Sequence, residues 1–186
     1  IENWHLKYLN ITQAQNVIAT IAIIKELKLE PKKVHNLISD LKPLPGRGER
    51  LTINFSKNEK TFIIDDSYNA NPASVQSALQ VLSEKSGKRI FVFADMVELG
   101  EESQHWHEVI GQQAQILGID RVLCYGPLSR WTAEKFGHSA MHFDSQDALL
   151  QALLPELQSD VVVLVKGSNS MAMHKVVEHL KNKSTV

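Results

Sequence analysis

The sequence predicts an α/β fold, a mostly parallel sheet flanked by helices, preceded by a short helical segment. Three observations carry this. Beyond residue 50, apolar runs of strand length alternate with stretches of helical periodicity. The run Val161-Val162-Val163-Leu164-Val165 is continuous rather than alternating, as in a strand buried on both faces. Between the two regions, Leu41-Lys42-Pro43-Leu44-Pro45-Gly46-Arg47-Gly48-Glu49 holds two prolines and two glycines, which break any regular element and mark a domain boundary.

The elements follow in order. Val17, Ile18, Ile21, Ala22 and Ile24 recur at close to 3.6 residues and predict a helix over 12–27, with Thr12 as its N-cap. A second helix is expected over 31–39, opened by Pro31 and carrying Val34, Leu37 and Ile38 on one face. After the break, 51–55 and 60–65 read as a hairpin across the polar turn Ser56-Lys57-Asn58-Glu59. Strands are then expected at 89–94, 121–125, 140–143 and 160–166. Helices are expected at 72–84, 103–117, 129–136, 145–154 and 170–181.

Bulk properties exclude several classes. The formal net charge of -1 offers no basic surface for nucleic acid and no polybasic membrane patch. The longest apolar runs are too short to span a bilayer, and no cleavable signal is visible. The single cysteine, Cys124, lies in an apolar strand and has no intrachain partner, which fits a reducing compartment. The chain starts at Ile1, not methionine, as a fragment would.

In open parallel sheets, ligands bind beyond the carboxyl ends of the strands. Three junctions there have unusual composition. Asp65-Asp66-Ser67-Tyr68-Asn69-Ala70-Asn71-Pro72 closes a strand with two acids and then offers uncharged donors and acceptors, suited to ribose hydroxyls or a zwitterionic peptide. Helix capping explains Asn71 and Pro72 but not the polar groups before them. Ala94-Asp95-Met96-Val97-Glu98-Leu99-Gly100-Glu101 again sets an acid after a strand, and is equally compatible with a solvated loop. His105 and His107 lie beyond it, two residues apart on different helix faces, a poor spacing for a shared metal. Lys166-Gly167-Ser168-Asn169-Ser170 reads either as an anion site at a helix start or as a capped turn. No G-x-x-x-x-G-K-S/T, G-x-G-x-x-G or G-x-S-x-G occurs in the chain, which disfavours a dehydrogenase and an α/β-hydrolase.

Taken in order, Gln15-Asn16-Val17, Pro45-Gly46-Arg47, the Asp65 to Pro72 junction, Asp95-Met96-Val97-Glu98-Leu99-Gly100-Glu101 with His107, and Lys166-Gly167-Ser168 resemble the Mur ligases. The resemblance covers nearly the whole chain. It is closest to members that join D-alanyl-D-alanine to UDP-N-acetylmuramoyl-tripeptide. The asparagine-rich junction is its most specific part.

The resemblance implies a three-domain ATP-dependent, amide-forming ligase of peptidoglycan precursor synthesis, acting in the bacterial cytoplasm. Residues 1–44 would be the helical tail of the central ATP-binding domain, and 45–186 the Rossmann-like C-terminal domain. The first domain, the P-loop and the Mg2+ ligands would lie outside the chain. It implies ATP-side roles for Asn16, Arg47 and Asp66, with Asp66 on the ribose. Tyr68, Asn69 and Asn71 would face the incoming dipeptide. Lys166, Glu98 and His107 match family positions without an assigned step. Two departures stand out: Gln15 where histidine is frequent, and Asn169 where arginine is common. The alternative is a non-catalytic nucleotide- or peptide-binding module of the same fold.

Overall fold

The computed structural model describes residues 11–29, 44–56 and 59–183. The chain divides into two compact units, 1–44 and 45–186.

In the first unit, α1 (Ile11–Glu26) is followed by Lys28 at φ 54°. The residue expected as its cap, Thr12, lies inside the helix. Val17 and Ile24, two turns apart, are buried, with Ile21 half-buried between them. Ile18 stays exposed, so the apolar stripe is narrower than the sequence pattern suggests. Asn16 is exposed. The helix expected over 31–39 lies outside the described residues.

The second unit is built around one sheet. Its strands are β1 (Glu49–Ser56), β2 (Glu59–Asp66), β3 (Lys88–Ala94), β4 (Arg121–Tyr125), β5 (Ala140–Phe143) and β6 (Val161–Lys166). The spatial order is β1-β2-β6-β3-β4-β5. The β1–β2 hairpin is antiparallel and every other pairing is parallel. The strand with the unbroken apolar run, β6, sits between β2 and β3, and all its residues are buried.

Helices cover both faces: α2 (Pro72–Ser83), α3 (Ser103–Ile116), α4 (Arg130–Phe136), α5 (Gln146–Leu153) and α6 (His174–Lys183). Val75, Leu79 and Leu82 of α2, Ile110 and Ala114 of α3, and Ala133 and Phe136 of α4 pack on Phe91, Phe93, Val122, Cys124, Val162 and Leu164. On the other face, Leu149 and Leu153 of α5 and Val176, Val177 and Leu180 of α6 pack on Ile63, Ile90, Val92, Leu123, Val163 and Val165. Side chains two apart on a strand share a face, so each central strand feeds both cores.

One element differs from the sequence pattern. The helix expected from Ser170 starts instead at His174, after a 3-10 turn (Asn169–Met171) and Ala172 in the left-handed region at φ 50°. That residue interrupts the helical path, so no α-helix N-terminus lies directly against Lys166.

The chain leaves β2, β3 and β4 toward the first face, and β5 and β6 toward the second. Because β6 stands between β2 and β3, the connections diverge around its carboxyl end. Such a switch point opens a crevice where α/β sheets take their ligands.

Candidate functional site

At that crevice, the last rung of the β2–β6 ladder aligns Asp66 with Lys166. Lys166 Nζ lies 2.5 Å from Asp66 Oδ2 and donates to the Asn69 carbonyl oxygen at 2.9 Å. The lysine side chain is only 2% exposed, and the aspartate side chain 19%. Burial pushes the Asp66 carboxyl above its ordinary value, against the pull of the Lys166 ammonium; Asp65 adds to the push and Arg47 opposes it. Burial likewise lowers Lys166, against the attraction of Asp66, and Arg47 adds to the lowering.

The two adjacent acids divide their work. Asp65 Oδ1 accepts from the Ser67 hydroxyl at 2.5 Å and from its backbone N–H at 3.2 Å, forming the turn that ends β2. The neighbouring Asp66 is left to face Lys166. Tyr68 and Asn69 project from the turn and are exposed. Asn69 Oδ1 accepts the Ala70 N–H at 2.9 Å. Asn71 caps α2: its Oδ1 accepts the Ser74 N–H at 2.9 Å, and Ser74 Oγ accepts the Asn71 N–H at 3.1 Å. This reciprocal box satisfies two backbone donors at the helix start.

The proline- and glycine-rich linker is fastened to this loop. Tyr68 N–H donates to Gly46 O at 2.9 Å, and Gly48 N–H donates to Asp65 O at 2.8 Å. Gly46 has φ 73°, and a Cβ there would stand 3.1 Å from Tyr68 N and Cβ. Between the two bonds, the Arg47 guanidinium stacks on the Tyr68 ring, 4.0 Å from its centre.

The turn after β6 joins the same assembly. Asn169 Nδ2 donates to Tyr68 O at 3.1 Å. Ser168 N–H donates to Asp95 O at 3.0 Å, and its hydroxyl accepts the Val97 N–H at 2.9 Å. Gly167 allows this approach, since a Cβ there would meet Ala94 Cβ and Met173 Cγ at 2.8 Å. Asp95, just after β3, is buried, and its Oδ1 accepts the N–H groups of Leu128 and Ser129 at 3.0 and 2.7 Å, holding the turn that leads into α4.

The structure thus brings Arg47, Asp66, Tyr68, Asn69 and Lys166 together, with Asn71 at the end of the same loop. His107 is fully buried in α3 and bonds to the backbone at Met96 and Ser103. Glu98 is exposed, at φ 66°. Asn16 belongs to the other unit. Sequence reasoning passed over Asn169 as a tie to Tyr68 and Asp95 as an anchor for the turn before α4. The acid after each strand was the available signal for Asp95; for Asn169 there was none. Among the described residues no group of three or more His, Cys, Asp or Glu is placed to hold a metal ion. No described helix is long and apolar enough to cross a membrane.

The chain is similar to known proteins in both sequence and fold. The family described as Mur ligase, glutamate ligase domain, matches residues 46–169. UDP-N-acetylmuramoyl-tripeptide–D-alanyl-D-alanine ligase of Escherichia coli (strain K12) is 38% identical over 173 residues, 91% of this chain and 37% of that protein. The protein of the same name from Bacillus subtilis (strain 168) is 30% identical over 97% of this chain and 40% of its own length. The chain therefore spans about two fifths of these relatives. Among solved structures, MurF of Acinetobacter baumannii superposes with a TM-score of 0.84 at 25% identity, covering 95% of this chain and 39% of that one. MurF ligase from Thermotoga maritima in complex with ADP gives 0.78 at 25% identity, with the same coverage. By a family match over most of its length, with the sheet and crevice to accompany it, this chain belongs to the Mur ligase family and carries its glutamate ligase domain.

Proposed function

We propose that the chain is the C-terminal portion of a cytoplasmic, ATP-dependent ligase that joins D-alanyl-D-alanine to UDP-N-acetylmuramoyl-tripeptide through an acyl phosphate. The observation that carries this reading is the convergence of Arg47, Asp66, Tyr68 and Asn69 at the switch point of the sheet. In this reading, residues 1–44 are the tail of the central domain, and Asn16 serves the adenine side of the nucleotide.

ATP supplies the phosphoryl group that activates the tripeptide carboxylate. The described residues contribute position and charge. Arg47 presents a permanent cation on a fixed aromatic platform, suited to a phosphate oxygen. Asp66, with Oδ2 held by Lys166, offers Oδ1 to ribose hydroxyls. Tyr68, Asn69 and Asn71 offer neutral donors and acceptors to the zwitterionic dipeptide. His107 acts at a distance, by holding the β3–α3 loop. Holding the reactants in a single geometry lowers the barrier without covalent participation by these groups.

The test is a ligation assay on the full-length protein that contains this chain. Arg47→Ala is expected to raise the ATP requirement by about tenfold or more, and Asn69→Ala the dipeptide requirement. Wild-type protein that forms no amide from these substrates sinks the reading. The 186-residue chain alone, which contains no G-x-x-x-x-G-K-S/T, is expected to release no phosphate from ATP. Steady release by the pure chain contradicts that expectation.

A further inference from the structure

Lys166 is the most deeply buried cation among the described residues of the crevice. An ammonium placed there loses its hydration, and only well-aligned partners offset that loss. It has two: the Asp66 carboxylate and the Asn69 main-chain oxygen, both contributed by the β2–α2 segment a hundred residues away. An apolar side chain would fill a parallel strand end at lower desolvation cost, as along the rest of β6. With both partners engaged and 2% of its side chain exposed, the lysine is poorly placed to reach a bound anion directly.

We propose that Lys166 is a positioning residue: through Asp66 and the Asn69 carbonyl it locks the ribose-facing acid and the dipeptide-facing loop into one geometry, coupling the two substrate sites. The coupling follows from the shape of the contact. One Nζ holds both the side chain that would receive the nucleotide and the backbone three residues on that carries Asn69. The Asn169–Tyr68 bond ties the same loop to β6 a second time, from the turn after Lys166. Loss of the ammonium removes at once the partner of the Asp66 carboxylate and that of the Asn69 carbonyl. The charged and titratable groups facing Asp66 are Lys166, Asp65 and Arg47; those facing Lys166 are Asp66 and Arg47.

The inference rests on the ligase reading for the identity of the substrates, but its geometry is testable without them. In the 186-residue chain, the 13C resonance of the Asp66 carboxyl is followed against pH in wild type and Lys166→Met. The midpoint is expected to rise by about one pH unit or more in the variant. The amide shifts of Tyr68, Asn69 and Ala70 are expected to titrate with Asp66 in wild type and to lose that coupling in the variant. An unchanged midpoint, or loop amides indifferent to Asp66 in wild type, overturns the proposal.

In the full-length ligase, Lys166→Met is expected to raise KM for ATP and for dipeptide by about tenfold or more each. The acid limb of the pH profile should move upward with the NMR midpoint. A fall in kcat alone, with both KM values and the acid limb unchanged, marks a merely structural lysine and overturns the proposal. If the single variant does not fold, Asp66→Asn with Lys166→Met leaves no lone charge and carries the test. Both KM values rising supports the coupling, and a rise for ATP alone overturns it. A wild-type enzyme without ligation defeats the functional reading, while the NMR midpoints still decide the geometry.

Discussion

His107 Nε2 accepts the Met96 backbone N–H at 3.0 Å inside the fold. Its Nδ1 lies 2.6 Å from the Ser103 carbonyl oxygen, which can only accept, so Nδ1 carries the proton and the ring is neutral. Burial lowers the imidazole pKa, against the Ser103 bond and the Asp95 charge. The unfolded chain therefore binds this proton more readily than the folded chain. Stability should rise with pH between the folded-state pKa and the unfolded value of about 6.5, and fall on acidification through that window. Urea midpoints of wild type and His107→Asn at several pH values check this. The variant is expected to be weaker by about 1–3 kcal/mol at pH 8, with the difference narrowing as the pH drops. A constant difference contradicts the assignment.

Gly111 marks a close approach of α3 to α4. A Cβ there would stand 2.5 Å from Thr132 O and 2.9 Å from Lys135 Cβ. Alanine in a helix interior ordinarily gains about 1 kcal/mol over glycine. Here the clash with backbone dominates, and Gly111→Ala should destabilise by about 1–3 kcal/mol. A raised melting temperature for this variant would contradict that.

Asn71 has two separable duties. As a cap, it is expected to tolerate Asn71→Asp, while Asn71→Ala loses about 1 kcal/mol by chemical denaturation. As a substrate contact in the full-length enzyme, Asn71→Ala should raise the dipeptide requirement more than the ATP requirement. Equal kinetic effects would leave it only the capping role.

Cys124 is fully buried in β4, and burial pushes its thiol far above the ordinary value. Since the thiolate is the reactive form, alkylation should proceed only through opening of the sheet. Its rate is expected to follow the fraction unfolded across a urea series. Rapid labelling in native buffer would contradict this.

The alternation of strands and helices was legible because burial on two faces imposes its own hydrophobic pattern, as the β6 run shows. The polar junction after β2 was legible as well, since five uncharged or acidic side chains, Asp65 to Asn69, at the end of an apolar strand exceed the needs of a turn. The Lys166–Asp66 contact was not, because it depends on β6 inserting beside β2, a tertiary choice that neither segment encodes alone. Nor was the late start of α6: Ala172 takes a left-handed conformation without the glycine that usually announces one. His107 was singled out by resemblance, yet its bond to the Met96 amide emerges only when α3 packs back over the end of β3.

The two backbone bonds flanking Arg47 make the segment 46–48 a buckle on the second unit. Its composition promises slack, yet from Gly46 onward it is an added rung on the loop that follows β2. Arg47 therefore travels with Tyr68 and Asp66 as a single piece. Extra residues spliced in before Pro45 would leave that piece whole, whereas the same residues spliced in between Gly46 and Gly48 would part the two bonds from each other and draw the cation away from its ring.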